Sequence, residues 1–382
     1  MLRDPKLLVL LVVGSLTTMA GGIFAPILPE MVQQLQINPE LAGILVSMHC
    51  LTIALFSPLL GILADWIGRL RVLYPSLLIY ALAGTSGAFL QSFWPLLLTR
   101  GLLGAASGGI AAASLGLLGS MYEGKKRSQA LALATTTLTI TGITDPLLGG
   151  WVGNSSWQNT FYLYGLALPY AILLALIFKE QSLPANSNGN EIGDKLFHVL
   201  SSRHAIKLLI ALGLTSVAMY AVVIYAPIYL KATIGAGPVL NGIVLASRAI
   251  GAAFVSAFGA SKLAQRCGAM QATALGFGLM AVTLATIPLL KVLSWILLSA
   301  ILFGAGFGIV LPSIYNALAN LAPSQLRSSV LSAGIGVGFL GQFTSPILLG
   351  PVLGHIGLSA VFYTAAGIVA LAGLFLVAPK RT

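Results

Sequence analysis

The chain has 382 residues, of which 57% are hydrophobic and only 8% are charged. Soluble globular domains carry about 25% charged residues, so this chain cannot cover its own surface for water. These figures exclude a soluble protein and predict an integral membrane protein. The net charge of +11 does not indicate nucleic-acid binding, because the basic residues stand at the ends of apolar segments and do not form one patch.

Twelve segments are predicted to cross the membrane, since a spanning helix needs about 20 mostly apolar residues. They run from Leu7 to Leu28, Leu41 to Leu60, Val72 to Phe89, Pro95 to Leu118, Gln129 to Val152, Phe161 to Phe178, Leu208 to Tyr229, Val239 to Phe258, Met270 to Leu289, Ser294 to Tyr315, Val330 to Leu353 and Ala360 to Ala378. The first segment is interpreted as a retained helix and not a signal peptide, because its apolar run is long. The predicted fold is all-α.

The basic residues also predict the orientation. The outer loops hold only Lys231 and Lys291, and Arg100 and Arg248 lie inside spans, so the other sixteen of the 20 Lys and Arg residues fall on one side. The positive-inside rule places that side in the cytoplasm. We therefore expect a multi-pass protein of a bacterial inner membrane with both termini cytoplasmic.

The spans divide into two groups of six. A polar stretch, residues 179–207, separates an N-terminal bundle at 1–178 from a C-terminal bundle at 208–382. Within that linker, residues 192–200 place five apolar side chains among Asp194, Lys195 and His198, which is a short amphipathic pattern. This pattern fits either a short amphipathic helix on the cytoplasmic membrane surface or a plain solvated linker.

The two halves resemble each other when the sequence is shifted by about 200 residues. Matched pairs include Gly104 with Gly304, Gly108 with Gly308, Arg127 with Arg327 and Pro146 with Pro346. Chance matches of Leu and Ala are frequent in an apolar chain, but Gly, Pro and Arg in one register are not. Two parallel six-helix repeats are typical of a transporter that binds its substrate between the halves near mid-membrane.

The loop between the second and third spans, residues 61–71, contains Gly61, Asp65, Gly68 and Arg69. It resembles the signature of this loop in the major facilitator superfamily. The resemblance implies the fold of that family and a conformational latch at these residues, in which the acid docks on the N-terminus of a neighbouring helix. The alternative is a solvated turn whose basic residues only set the topology.

The fourth and fifth spans extend the resemblance. Six residues are assigned to helix packing or to the family's helix signatures: Arg100, Gly104 and Gly108 on the fourth span, and Pro146, Gly149 and Gly150 on the fifth. The fifth-span residues are similar to the glycine-proline signature of the drug/proton antiporter branch. The pattern departs at Asp145, which stands where that signature has glycine.

Asp145 and Arg100 lie at similar predicted depths, on the order of 10 Å below the outer surface at 1.5 Å per residue. We expect a buried ion pair, because a lone carboxylate in a span is costly. One hypothesis is that protonation of Asp145 releases Arg100 and drives the conformational change. The other is a permanent structural pair that does not titrate during transport.

His49 and Arg248 occupy corresponding positions in the second and eighth spans. His49 is a candidate for both proton coupling and substrate binding, because imidazole titrates near neutral pH. Arg248 is a fixed positive charge and fits an anionic or zwitterionic substrate. Helix-to-helix hydrogen bonding is the alternative for both. Tyr225, Asn316 and Gln342 are further candidates for substrate contacts.

The sequence shows no metal-ligand or catalytic spacing and no phosphate-binding lysine motif, so we expect no cofactor, no metal and no enzymatic activity. The leading hypothesis is a monomeric secondary transporter that exports a small amphiphilic molecule or drug in exchange for protons by alternating access. A carrier of an organic anion or lipid-like substrate, working as an antiporter or a facilitator and using Arg248, is the alternative. A non-transporting membrane sensor ranks third.

Overall fold

The computed structural model describes residues 4–178, 196–323 and 326–377. Within these ranges the regular structure is helical, with α-helices joined by short 3₁₀ turns and no strand. The predicted all-α fold is confirmed. Residues 179–195 of the predicted linker, which include the first four residues of the proposed amphipathic segment, lie outside the described ranges. Residues 196–200 are helical.

Twelve helices in the described ranges are long and apolar enough to cross a membrane, which confirms the predicted number. We label them α1 to α12: Pro5–Gln34, Pro39–Ile67, Arg69–Phe89, Phe93–Met121, Gly124–Val152, Trp157–Ile177, Arg203–Ile234, Pro238–Phe258, Ala269–Leu289, Leu293–Leu321, Arg327–Ile356 and Leu358–Leu376. A separate short helix, Ala260–Cys267, follows α8. Several helices begin earlier or end later than predicted, because their polar ends extend beyond the apolar window.

Helix α1 is interrupted. Its first α-helical part ends at Gly22, a 3₁₀ turn covers Ala25–Ile27, and a second α-helical part runs over Leu28–Gln34. Glycine weakens helix propagation, and proline lacks the N–H that continues the hydrogen-bond ladder. The Gly and Pro residues between positions 21 and 29 therefore account for the break.

The chain forms two compact units. The first comprises Met1–Asn38, Ile44–Asn186 and Gly237–Ile243, and the second comprises Pro39–Gly43, Ser187–Ala236 and Val244–Thr382. This division differs from the sequence-based one at two short pieces: the first residues of α2 group with the second unit, and the first residues of α8 group with the first.

The two units share a packing pattern. In the first unit α3 packs along α4, and in the second α9 packs along α10. A glycine with positive φ precedes α3 and α9 alike, Gly68 at 106° and Gly268 at 89°. A side chain at either φ would be strained, so the repeated turn depends on glycine. The repeat seen in the sequence is thus also a repeat of backbone geometry.

Candidate functional site

Asp145 is the buried carboxyl group of the first unit. It lies on α5 with 3% of its surface exposed. Thr18 on α1 donates a hydrogen bond from Oγ1 to Oδ2 of Asp145 at 2.8 Å, and the same Oγ1 lies 2.9 Å from Oγ1 of Thr141, one turn earlier on α5. The carboxyl group is therefore bound by the hydroxyl group of Thr18, which in turn lies within hydrogen-bond distance of Thr141.

Arg100 on α4 is also buried, with 1% of its surface exposed. Its Nη1 donates to the hydroxyl of Tyr164 at 2.8 Å, and its Nη2 donates to the carbonyl oxygen of Ala20 at 2.6 Å. Its Cζ stands 4.2 Å from the ring centroid of Phe24. Hydrogen bonds to a carbonyl and contact with an aromatic face both stabilise a buried guanidinium. Arg100 thus fastens α4 and α6 to the part of α1 just before its break.

The expected ion pair between Arg100 and Asp145 is not formed. Among the described residues, neither Arg100 nor Asp145 has an ion-pair partner with nitrogen and oxygen within 4 Å, whereas Arg69 and Asp65 form such a pair. The physical reason is the position of α1, which packs closely against both α4 and α5, whereas α4 and α5 touch each other much less. Each buried group reaches α1 first: Arg100 bonds its backbone and Asp145 bonds its Thr18.

His49 on α2 belongs to the Arg100 cluster. Its Nδ1 lies 2.8 Å from the carbonyl oxygen of Val46 and 3.3 Å from Nη2 of Arg100, and its Nε2 lies 3.4 Å from Sγ of Cys50. Nδ1 donates to Val46 when it carries the ring proton and accepts from Arg100 when it does not. The structure therefore places two of the three predicted proton-coupling residues together, His49 with Arg100, and Asp145 apart from them.

Small residues close the side of Asp145 that faces the Val152 end of α5. A Cβ on Gly149 would collide with the carbonyl of Ile23, and one on Gly150 would collide with the carbonyl of Pro238. Pro146 in turn lies against Gly242. Pro238 and Gly242 belong to the piece of α8 that groups with the first unit. At these contacts helices meet backbone to backbone.

Gly104 and Gly108 on α4 form a similar contact with α2. Gly104 packs on the carbonyl of His49, and Gly108 packs on the backbone nitrogen of Ser57, which would lie 2.9 Å from an added Cβ. In the second unit Gly304 packs in the same way on the carbonyl of Arg248. His49 and Arg248 are thus equivalent positions in structure as well as in sequence.

The second unit contains the four remaining substrate candidates. Arg248 on α8 is 9% exposed, and its Nε has no hydrogen-bond partner among the described residues. The hydroxyl of Tyr225 on α7 is likewise buried and unbonded within the described chain. Gln342 on α11 is half-buried, and Asn316 on α10 is exposed. Arg248 and Tyr225 therefore carry buried polar atoms that a ligand could satisfy.

The loop between α2 and α3 is anchored through Arg69. Its Nη1 donates to the carbonyl of Gly116 on α4, and its Nη2 lies 3.4 Å from Oδ1 of Asp65. The Asp65 side chain is 67% exposed. Gly61, one turn before Asp65, faces Ala112 on α4 at ordinary van der Waals distance. In this conformation Asp65 at the end of α2 pairs with Arg69 at the start of α3, and Arg69 makes the contact to α4.

Sequence reasoning missed Thr18 and Tyr164. A signal for Thr18 existed, because a buried carboxyl group needs a donor and a Thr pair stands in the apolar first span just before two glycines. Nothing in the sequence marks Tyr164 out from the other tyrosines, because its role depends on a contact 64 positions along the chain.

Comparisons with known proteins agree with this architecture. The sequence model described as Major Facilitator Superfamily matches residues 10–346, with a second match at 208–382. The tetracycline resistance protein, class B, of Escherichia coli is 23% identical over 354 residues, covering 90% of this chain and 88% of that protein. The multi-drug resistance efflux pump PmrA of Streptococcus pneumoniae is 26% identical over 383 residues, covering 96% and 94%.

A solved structure supports the fold. The chain superposes with a TM-score of 0.79 and 16% identity on a bacterial homologue of the human lysosomal transporter Spinster, covering 98% of this chain and 95% of that one. The match of the family's sequence model to residues 10–346 and 208–382 confirms the resemblance seen at residues 61–71. This multi-pass membrane protein belongs to the Major Facilitator Superfamily of transporters.

Proposed function

We propose that this transporter exports a small amphiphilic molecule in exchange for protons, and that Asp145 carries the proton. The observation behind the proposal is that Asp145 is buried and bound by Thr18, with no cation within ion-pair distance in the described chain. The names of the curated relatives, a tetracycline resistance protein and a multi-drug efflux pump, support export of a drug-like compound.

A carboxyl group in this position suits proton coupling for a physical reason. Ionising it without a counter-charge in a low-dielectric site is costly, so the group binds a proton when it is buried. When the helices around it separate and water enters, ionisation becomes cheaper and the proton leaves. A change of conformation is therefore linked to the uptake or release of one proton.

The absence of a pair with Arg100 strengthens this proposal. Exporters of hydrophobic cations need an acidic group in the binding region, and an Asp145 neutralised by arginine would leave none there. Asp145 instead keeps its charge available for either a proton or a cationic substrate. If a proton and a cationic substrate compete for the same carboxylate, binding of one releases the other. This competition alone is enough to couple export of the substrate to entry of the proton.

Arg100 and His49 have a different part in this proposal. Arg100 holds α1 through the carbonyl of Ala20 and through Tyr164, so it positions the helix that carries Thr18. A second positive charge on His49 would lie 3.3 Å from Arg100 and would repel it. We therefore propose that His49 stays neutral and helps to position Arg100, and that Asp145 is the group that gains and loses a proton.

The remaining assignments follow from the predicted orientation and from the family. Arg248, Tyr225, Asn316 and Gln342 contact the substrate. Gly61, Asp65, Gly68 and Arg69 form the conformational latch. The protein acts as a monomer in a bacterial inner membrane with both termini in the cytoplasm.

Arg248 supports a second candidate function, the transport of an organic anion. It is a buried guanidinium whose Nε has no partner among the described residues, so an anionic group of a ligand would satisfy it. Under this alternative Arg248 binds the substrate directly and Asp145 has no role in the transport cycle.

The test is substrate-driven proton movement in proteoliposomes that contain a pH-sensitive dye. Tetracycline, ethidium and the anion taurocholate would be added in turn to the parent protein and to Asp145→Asn, Asp145→Glu and Arg248→Gln. Glu123→Gln is the matched control, since it removes a carboxylate at the start of α5 outside the buried cluster. Melting in detergent would verify that each variant is folded.

Proton movement evoked by tetracycline or ethidium, lost in Asp145→Asn and kept in Glu123→Gln, is the expected result. Asp145→Glu should retain part of the activity, because it preserves the ionisable group. Unchanged proton coupling in Asp145→Asn would refute the proposal. Taurocholate transport without proton movement, lost in Arg248→Gln alone, would establish the alternative function.

A further inference from the structure

Thr18 stands between Asp145 and the half-buried face of the first unit. Its Oγ1 lies 2.8 Å from Oδ2 of Asp145, 2.8 Å from the carbonyl oxygen of Ser15 and 2.9 Å from Oγ1 of Thr141. A hydroxyl group carries one proton and two lone pairs, so it can donate to only one of these three oxygens at a time. Which one receives the proton depends on the state of Asp145.

Both states of Asp145 are satisfied without a change in the position of any non-hydrogen atom. When the carboxyl group is ionised, Thr18 donates to Asp145, and Thr141 donates to the carbonyl of Thr137 at 3.0 Å. When the carboxyl group is protonated, it donates to Oγ1 of Thr18, and Thr18 turns its own proton to the carbonyl of Ser15. When Asp145 gains or loses a proton, rotation of the Thr18 hydroxyl group is therefore enough to keep the carboxyl group hydrogen-bonded, and no helix has to move.

The hydroxyl groups lie on the less buried side of Asp145. Pro146, Gly149 and Gly150 are buried on the side toward Val152, whereas Thr18 and Thr141 are half-buried and α5 continues from them with Thr137, also half-buried, one turn further. Thr137, Thr141 and Asp145 are spaced by four residues and share one face of the helix. A proton coming from the Gly124 end of α5 meets Thr141 and Thr18 before it meets the carboxyl group.

We propose that Thr18 is the proton-relay residue of Asp145, passing the proton between the carboxyl group and water on the half-exposed side of Thr141. The inference rests on the proposed role of Asp145 as proton carrier. In the loading direction the O–H bond of Thr18 breaks as its proton joins Oδ2 of Asp145. A proton from hydronium, delivered at Thr141, restores the hydroxyl of Thr18 in the same movement, so one proton is transferred and no charge remains on threonine.

Other ionisable groups act on this site only from a distance. Tyr80 on α3 and Tyr164 on α6 interact electrostatically with Asp145, and Arg100 on α4 acts on both tyrosines. Helix α1 contributes Thr18 and Gly22 at Asp145, and the adjoining piece of α8 contributes Gly242 at Pro146. Among these groups, Thr18 makes the hydrogen bond to the carboxyl group.

The test compares Thr18→Val, which keeps the shape and removes the hydroxyl, with Thr18→Ser, which keeps the hydroxyl. Thr17→Val is the matched control, because it makes the same change at the preceding residue. Among the described residues, the hydroxyl of Thr17 bonds only the carbonyl of Gly14 and does not contact Asp145. Two transport modes would be measured with tetracycline as the probe. One is transport driven by a proton gradient, and the other is exchange of labelled for unlabelled tetracycline at equal pH on both sides.

Thr18→Val should slow gradient-driven transport by about tenfold or more, a typical loss when a positioned proton-transfer group is removed. It should slow tetracycline exchange less than gradient-driven transport, because exchange requires no net proton transfer. Thr18→Ser should restore gradient-driven transport, and Thr17→Val should resemble the parent. The pH profile of gradient-driven transport should also shift in Thr18→Val and not in Thr17→Val.

A second readout is independent of transport. The infrared band of the protonated Asp145 carboxyl group, identified by its loss in Asp145→Asn, should shift in Thr18→Val and stay in place in Thr17→Val. This measurement decides the question even if Thr18→Val no longer transports. An unmoved band would overturn the contact on which the relay depends.

The outcomes separate the two proposals. If Asp145→Asn abolishes proton coupling and Thr18→Val behaves like the parent, the relay is refuted and the proton-carrying role of Asp145 remains. If Asp145→Asn keeps proton coupling, the proposed function itself is refuted, whatever Thr18→Val does.

Discussion

Gly22 and Asp145 are in direct contact where the α-helical part of α1 ends: a Cβ added to Gly22 would lie 2.6 Å from the Cβ of Asp145. The break in α1 and the buried carboxyl group of α5 are therefore one structural feature. The absence of a side chain at Gly22 lets α5 approach closely enough for Thr18, one turn earlier on α1, to reach Asp145.

Gly22→Ala should disturb this contact. The new methyl group must displace α1 or α5, and overpacking of this kind costs about 1 to 3 kcal/mol. We expect a lower melting temperature in detergent and weaker proton coupling. Gly142→Ala on α5 is the control, because an added Cβ there meets nothing within 4 Å. Alanine also favours helix over glycine, so the control should be neutral or slightly stabilising. Equal melting of the two variants would contradict the contact.

The twelve spans and the two-fold repeat could be predicted from the sequence because each depends on a local pattern of residues. Each span is an apolar run of defined length, and the repeat is visible in single residues such as Gly104 and Gly304. Both glycines pack on a carbonyl of the neighbouring helix, at His49 and at Arg248. The depth of Asp145 and Arg100 in the membrane stays a prediction from counting residues.

The pairing within the site was harder to predict, because it depends on which helix lies between two others. Depth placed Arg100 and Asp145 at one level, but α1 packs against both of their helices and takes up their hydrogen bonds. The acceptor for Arg100 is the backbone oxygen of Ala20, and every residue has such an oxygen. A hydrogen bond from a side chain to a distant backbone oxygen therefore cannot be recognised from the sequence.

Arg100→Lys should show whether Arg100 only positions α1 or also affects the proton that Asp145 carries. Lysine keeps the charge but cannot bond Ala20 and Tyr164 together as the planar guanidinium does. We expect transport to fall by about tenfold, as for the loss of roughly 1.4 kcal/mol of positioning energy. The pH profile of the remaining activity should keep its midpoint, because Asp145 is unchanged. A displaced midpoint would indicate that Arg100 acts on the charge of Asp145 directly.

Arg69 and Asp65 should contribute unequally to stability. Arg69 bonds the carbonyl of Gly116 on α4, whereas Asp65 makes an exposed ion pair. Exposed pairs contribute about 0 to 1 kcal/mol, but a charged hydrogen bond between helices contributes about 1.5 to 3. Arg69→Ala should therefore lower the melting temperature clearly more than Asp65→Ala. If Asp65→Ala slows transport while melting normally, the latch proposal gains support, and normal transport would remove Asp65 from the latch.

Tyr122 and Asp4 join the end of α4 to the beginning of α1, outside the membrane spans. The hydroxyl of Tyr122 donates to Oδ2 of Asp4, whose Oδ1 accepts from the backbone N–H of Lys6 at 3.0 Å and caps α1. The hydrogen bond from Tyr122 lowers the pKa of Asp4 below its ordinary value of 3.8. Burial, together with the same hydrogen bond, raises the pKa of Tyr122 to about 12.

Tyr122→Phe should destabilise the protein in a pH-dependent way. A carboxyl group whose pKa is lowered on folding stabilises the folded state above its unfolded pKa, and this contribution is lost as pH falls through the folded value. The difference in stability between parent and variant should therefore be constant from about pH 5 to about pH 9 and shrink below about pH 4. It should also shrink above about pH 10, because the raised pKa of Tyr122 makes the folded parent keep a proton that the unfolded chain loses. Since the pair lies at the surface, we expect a difference of about 0.5 to 1 kcal/mol.

Melting of the parent protein and of Tyr122→Phe in detergent across this pH range measures the difference in stability. Tyr162→Phe is the control, because it removes a hydroxyl from a largely exposed ring. A difference that persists unchanged at pH 3 would show that Tyr122 stabilises by packing and not through the charge of Asp4.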